Sequence, residues 1–202
     1  MLDETLFRNV LKTIKEIPEL SQDLIDSFSD NQFKSKGKLL EVIDDLNILS
    51  KNHEVIILGS WYGSLLIPHL ANKVKRITCI DLDSNVLKVA KNRLFNNFSN
   101  LEFIEGDIFD KDLKRYHTTK LFINTSCEHM PAMNTWPYWR TVPASTYFAF
   151  QSNNMYDIDS HTNCVDTIDD FKNQLPSNIE ILFEDQLDDS RGIRFTIIGK
   201  FI

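Results

Sequence analysis

The chain has 202 residues, 42% apolar and 25% charged, with a formal net charge of -7. That length suits one compact domain with a sizeable core rather than two, and the composition is that of an ordinary globular protein. The acidic balance argues against a long nucleic acid held mainly through its phosphates, although a local basic patch keeps that partner open.

Three cysteines, Cys79, Cys127 and Cys164, are too few and too scattered for a disulfide framework and fit a reducing compartment. The start, MLDETLFRNV, carries acids early and lacks the basic opening and apolar stretch of a secretory leader. No run reaches the roughly 18 apolar residues of a membrane span. The expectation is a cytoplasmic chain with no membrane partner, its oligomeric state left open.

The first fifty residues read as helices. Leu6, Phe7, Val10, Leu11 and Ile14 recur at helical spacing and Pro18 closes that segment; a shorter piece holds Leu24, Ile25 and Phe28. Ser35 is the expected cap of a third helix with an inner stripe of Leu39, Val42, Ile43 and Leu46. Just ahead of it, FKSKGKL places Lys34, Lys36 and Lys38 on what reads as a solvated helix start, with a lid touching an anionic acceptor as the alternative. It is no phosphate loop, since position 32 is glutamine where that motif needs glycine.

After His53 short aliphatic runs alternate with helical patterns. EVIIL (54–58) is the first strand and ends in the turn ILGSWYGS (57–64); a helix with Leu65, Leu66, Ile67 and Leu70 follows. RITCID (76–81) is the second strand, and SNVLKVAKNRLF a helix capped by Asp83 or Ser84. LEFIEGD (101–107), KLFINTS (120–126) and TYFAFQS (146–152) are the next three strands. IEILFED (179–185) and RFTIIGKFI (194–202), joined by a short loop, form an antiparallel pair. Strands apolar throughout and alternating with helices predict a mainly parallel sheet covered on both faces, with ligands at the carboxyl ends of the strands.

The turn after the first strand is suited to such a ligand. Gly59 lets the backbone leave the strand sharply, Gly63 permits close packing, and amides exposed at the helix start favour a negative group. Asp81 ends the second strand at the spacing, about 20 residues, from which a carboxylate accepts both ribose hydroxyls of an adenosine. Asp107 closes the third strand; its side chain, or the amide of Ile108, can meet the exocyclic amine of an adenine lying between Leu82 and Ile108.

On these residues the chain resembles the class I S-adenosylmethionine-dependent methyltransferases. ILGSWYG stands where that family has its glycine-rich first motif, CIDLDSNVL resembles the ribose-binding second motif, and EGDIF the adenine-binding third. The seven-strand pattern with its final hairpin matches too, so the resemblance covers about three quarters of the chain. It implies S-adenosylmethionine held by Gly59, Ser60, Trp61, Tyr62, Gly63, Asp81, Leu82, Asp107, Ile108 and Asn124, the last at the end of the fourth strand. The turn is also like the GWYG turn of a phage and marine-bacterial branch, which brings no assigned substrate. Trp61 stands where the family usually has glycine, and Ile57 where it usually has an acid. Trp61 or Tyr62 can face the sulfonium, because aromatic faces attract cations, or both can pack on the N-terminal helices.

The acceptor side is expected beyond strands four and five, where the sequence turns polar and aromatic: NTSCEHMPAMNTWPYW (124–139) and QSNNMYDIDSHTNC (151–164). Methyl transfer needs alignment, a water-poor pocket and sometimes a base. Glu128 and His129 are the base candidates, with Asn124 beside them. Trp136, Tyr138 and Trp139 offer a wall, and Cys127, Gln151, Asn153, Asn154 and His161 offer contacts to a polar substrate. An ordinary loop with capping asparagines and core aromatics is the alternative reading of these residues.

Cys127-x-His129 and His161-x-x-Cys164 supply the ligand types of a closed zinc site, but the first pair is spaced too tightly and the two segments must converge, so no metal is assigned. A reactive Cys127 would need a lowered pKa, which only His129 is near enough in sequence to provide.

The expectation is an α/β, Rossmann-like seven-stranded mostly parallel sheet with an antiparallel final hairpin, in three α/β/α layers. It forms one domain, with residues 1–52 as a helical cap and 53–202 as the core. The expected function is S-adenosylmethionine-dependent methyl transfer to a small polar molecule. Charge and the lack of an Asn-Pro-Pro-Tyr type motif after strand four set nucleic acid second. Aminocarboxypropyl transfer from the same cofactor and a non-catalytic binding module are the alternatives; a nicotinamide oxidoreductase needs a tighter glycine fingerprint than Gly59 and Gly63 supply.

Overall fold

A computed structural model describes residues 4–110 and 116–202. Residues 1–3 of the stretch read above for a leader lie outside these. Three N-terminal helices, α1 (Glu4–Glu16), α2 (Ser21–Asp26) and α3 (Asp30–Asp45), precede β1 (Glu54–Leu58). Then come α4 (Leu66–Leu70), β2 (Arg76–Asp81), α5 (Ser84–Val89, continued by a π turn over Ala90–Leu94) and β3 (Leu101–Glu105). β4 (Thr119–Asn124), β5 (Tyr147–Asn153), α6 (Ile168–Asn173), β6 (Ile179–Asp189) and β7 (Gly192–Phe201) complete the order. No helix among the described residues is long and apolar enough to cross a membrane.

The seven strands form one sheet in the order β3-β2-β1-β4-β5-β7-β6. β1 through β5 run parallel, and β7 pairs antiparallel with both β5 and β6. The order reverses at β1, between β2 and β4, which is where a doubly wound sheet opens a crevice. Register makes the exits level: Leu58 lies beside Ile80 on one side and Asn124 on the other. Gly59, Asp81 and Thr125 therefore emerge at the same edge.

Alternate residues of each strand serve opposite faces. Val55 and Ile57 join a cluster with Leu39, Ile43, Ile67, Leu70 and Phe95, under the helices of the first half. Ile56 and Leu58 join Phe122, Phe148, Phe150, Trp136 and Trp139 on the other. There the crossover from β4 to β5 is built of single 3-10 turns at Cys127–His129, Met133–Thr135 and Trp139–Thr141, not of an α-helix. Trp136, Trp139 and Phe171 are buried and do the covering; each fully buried side chain of this size stabilises by roughly 1.5–3 kcal/mol.

Several local expectations shift. α3 begins at Asp30, not after Ser35; Ser35 is buried within it and its hydroxyl donates back to the Asn31 carbonyl at 2.8 Å, so it caps nothing. Lys34, Lys36 and Lys38 thus lie inside a helix. Asp83 is the cap of α5, its carboxylate accepting from the Asn85 and Val86 amides. In α1 only part of the apolar stripe turns inward: Leu6 is buried, while Phe7 and Leu11 are more than half exposed.

Candidate functional site

A cleft of about 730 Å³ opens along the carboxyl ends of β1, β2, β3 and β4, within the usual size of small-molecule sites, roughly 300–1,000 Å³. Of the residues expected at a cofactor, Gly59, Ser60, Trp61, Gly63, Asp81, Leu82, Asp107 and Ile108 line it.

Gly59 and Gly63 have φ of +60° and +65°, which glycine adopts without steric cost. A Cβ on Gly63 would come within 2.5 Å of Ile67 Cδ1, so the turn packs directly on α4. Trp61 is also left-handed, at φ +47°, an uncommon state for a bulky residue. Its amide donates to Asp81 Oδ2 at 2.7 Å, and Asp81 Oδ1 accepts from the Asp83 amide at 3.0 Å. The carboxylate is thereby fixed at the cleft wall. The amides expected to greet a negative group are partly committed: Ser60 N donates to the Ile80 carbonyl, Gly63 N to the Ser60 carbonyl, and Trp61 N to Asp81.

The aromatic pair divides. Trp61 lines the cleft and its indole N–H donates to Asp23 Oδ2 at 3.3 Å, so it lies against α2. Tyr62 is completely buried and takes no place on the cleft wall; burial, and then Asp23, push its phenol above the ordinary range. Asp107 Oδ1 accepts the Phe109 amide at 2.8 Å. Beside it Leu82 is 70% exposed and Ile108 only 5% exposed, one open and one fixed apolar wall.

Asn124 is buried and does not line the cleft. Its Oδ1 accepts from the Ser126 amide and its Nδ2 faces the sulfurs of Met130 and Met133, so it shapes the exit of β4. Cys127 is buried as well, its thiol directed at the Asn124 carbonyl and pushed well above the usual thiol range by burial. A reactive Cys127 is therefore not what the fold provides. Trp136 is a core residue whose Nε1 donates to the Ile108 carbonyl at 2.9 Å; it supports the cleft from behind. Gln151 donates to the Ser35 carbonyl and Thr196 Oγ1, tying α3 to β5, and Asn154 accepts the Ile193 amide. None of these five lines the cleft.

Glu128, His129 and His161 do line it, at the end away from Asp107 on the β4 side. The amides of Thr162 and Asn163 both donate to the Glu128 carbonyl at 2.9 Å, which seats the 160s segment against the β4 exit. The two histidine rings then meet edge to face at 4.6 Å. His129 Nδ1 lies 3.0 Å from the Ser160 carbonyl, and His161 Nδ1 3.0 Å from the Met155 carbonyl. Burial lowers the His161 pKa. Asn153 points its amide at Glu128 Oε1, 2.6 Å away, and so acts behind the wall rather than on it.

Two cleft cations were missed or misread from sequence. Lys36, on the cleft-facing side of α3, is bonded to Gln32 Oε1; burial, with the Arg194 charge adding to it, brings its pKa down to about 7. Arg194, an arginine within the apolar run of β7, is 5% exposed and lies 3.5 Å from Glu128 Oε1. Its register partner on β5 is Asn153, which brings the two to the same carboxylate. The N-terminal helices close over this end through Ser27–Ser64 (2.7 Å) and Asn31–Asp189 (2.7 Å) hydrogen bonds.

Strand order, reversed last hairpin and a cleft at the β1 switch point define the fold of the class I S-adenosylmethionine-dependent methyltransferases. The solved structures agree. An S-adenosylmethionine-dependent methyltransferase from Clostridium acetobutylicum superposes with a TM-score of 0.68 at 13% identity, over 93% of this chain and 98% of that one. The N-methyltransferase NodS from Bradyrhizobium japonicum gives 0.65 at 15% identity, over 85% and 98%. No family model matches the sequence. The ribosomal RNA small subunit methyltransferase A of Fusobacterium nucleatum is 26% identical over 89 residues, 44% of this chain. The chain's match spans about a third or less of the length of the curated relatives it resembles.

Proposed function

We propose that the chain binds S-adenosylmethionine in this cleft and transfers its methyl group to a small polar molecule. The observation that carries the reading is the Asp81 carboxylate, held by the amide of the β1 turn at the crevice where the sheet order reverses. The donor set fits an adenosine: one fixed carboxylate for paired hydroxyls, a second at Asp107, and Leu82 and Ile108 as apolar walls. When bound, the cofactor supplies an electrophilic methyl group. Of the two aromatics only Trp61 borders the cleft, and its backbone amide is the part that holds Asp81.

In this proposal residues 1–202 act as one cytoplasmic unit, with 1–52 as a cap over the site carried by 53–202. Glu128 and His129 are the candidates for taking the acceptor's proton, His161 and Lys36 contact the acceptor, and Asn124, Asn153 and Gln151 are positioning residues. The paired cations Lys36 and Arg194 lie recessed in the cleft instead of spread over a surface, which favours a small acceptor with an anionic or strongly polar group. The named relatives favour a second reading, an RNA acceptor.

Incubation with methyl-labelled donor and cell extract tests both. Label in the small-molecule fraction with release of S-adenosylhomocysteine is the expected result. Label only in RNA or DNA overturns the acceptor. Release of methylthioadenosine would indicate aminocarboxypropyl transfer, and tight binding without any product a non-catalytic module.

A further inference from the structure

We infer that Glu128, His129 and His161 form a binding site for a divalent transition-metal ion at the acceptor end of the cleft. The cysteine and histidine spacing left metal unassigned because its two halves had to converge. They do converge, but with the carboxylate of Glu128 in place of the thiols. One ligand atom from each of the three residues lies within 4.8 Å of the others.

The histidines are prepared for this. Each has its Nδ1 3.0 Å from a backbone carbonyl, Ser160 for His129 and Met155 for His161, so each Nδ1 carries the proton and each Nε2 keeps its lone pair. A backbone carbonyl on the far ring nitrogen is the usual support of a metal-bound imidazole, fixing both tautomer and ring angle.

Glu128 supplies an independent indication. Its side chain is 3% exposed; Oε1 accepts from Asn153 and lies by Arg194, whereas Oε2 is buried with no hydrogen-bond partner. A buried carboxylate oxygen left bare is costly, and a cation would satisfy it. Two imidazoles and one carboxylate suit Zn²⁺ and its neighbours, not Mg²⁺ or Ca²⁺, which favour all-oxygen shells. Bond lengths of about 2.0–2.2 Å require the three atoms to draw closer together, and His129, the exposed member of the three, has the most room to move. Three protein ligands leave a side open toward the cleft, where a polar atom of the acceptor can bind. With the ion bound, Glu128 and His129 act as ligands, not proton acceptors.

The site does not depend on the methyl-transfer reading, because metal binding is measured without cofactor. The full chain, stripped with chelator, is titrated with Zn²⁺ by calorimetry and with Co²⁺ by visible absorption. One ion per chain is expected, with no thiolate charge-transfer band. His129→Ala and His161→Ala should each weaken binding at least about tenfold, and Cys164→Ser should leave it unchanged. No stoichiometric binding, equal binding by both histidine variants, or a thiolate band lost in Cys164→Ser overturns the inference. Should His161→Ala fail to fold, ring ¹⁵N spectra of the wild type decide: Zn²⁺ must shift Nε2 of two of the five histidines, and unmoved signals sink the site.

Discussion

The Trp61 amide donates to Asp81 Oδ2 at 2.7 Å, so the carboxylate ending β2 is positioned by the turn ending β1. The same group caps the next turn through the Asp83 amide. Asp81→Ala should therefore weaken S-adenosylhomocysteine binding at least about tenfold, since each charge-assisted hydrogen bond contributes ~1.5–3 kcal/mol. It should also lower the melting temperature. Calorimetry and thermal denaturation read the two effects; unchanged binding would remove Asp81 from the site.

In Trp61 the backbone is left-handed while the indole leans on Asp23. If the amide is the useful part, Trp61→Gly relieves a strain of roughly 1 kcal/mol or more and preserves cofactor binding. Affinity within about threefold of wild type, under ~1 kcal/mol, is expected in calorimetry. A larger loss would assign the ring to the cofactor.

Burial and then Arg194 bring the Lys36 pKa from 10.5 to about 7. The unfolded chain keeps that proton up to the ordinary lysine range, whereas the folded chain releases it above about 7. Folding is thus penalised in full below that point, and the penalty fades as pH rises toward 10.5. Lys36→Met should raise the melting temperature over wild type, and more at about pH 6.5 than at about pH 9.5, at ~2–4 °C per kcal/mol. An equal gain at both pH values would show an amine that is not desolvated.

Arg194 and Glu128 are buried together, at 6% and 3% side-chain exposure. Glu128→Gln leaves the guanidinium without its counter-charge and should cost about 3–5 kcal/mol in urea denaturation. Adding Arg194→Met should restore a substantial part of that loss. Additive losses in the double variant would mean that the pair is not coupled.

Cys79 and Cys127 are buried, and burial pushes both thiols up, while Cys164 is only partly covered. Native protein treated with iodoacetamide should gain a single, slowly formed adduct at Cys164, and three in urea. Rapid labelling of Cys127 under native conditions would contradict the closed β4 exit. Peptide mass spectrometry reads the positions.

β1 and β2 were legible because each is a mostly apolar run bounded by polar residues; RITCID and EVIIL appear with the expected limits. The start of α3 was not, because Ser29, Asp30 and Ser35 are all capping-type residues and local sequence does not rank them. Exclusion of Trp136, Cys127 and Asn124 from the cleft was equally hidden. A tryptophan or cysteine after a strand packs inward or outward according to what the opposing elements, here β5, β7 and α6, present to it.

By itself the sequence determined the order of strands and helices, the glycine corner, and the carboxylates that end β2 and follow β3. These depend on spacing along one or two neighbouring elements, and short-range backbone geometry fixes them. Only the tertiary structure decided which side chains share the far end of the cleft. Lys36, Glu128, His129, His161 and Arg194 come from four separate stretches of chain, and their meeting depends on sheet register, on two amides clasping the Glu128 carbonyl, and on a helix laid over the crevice.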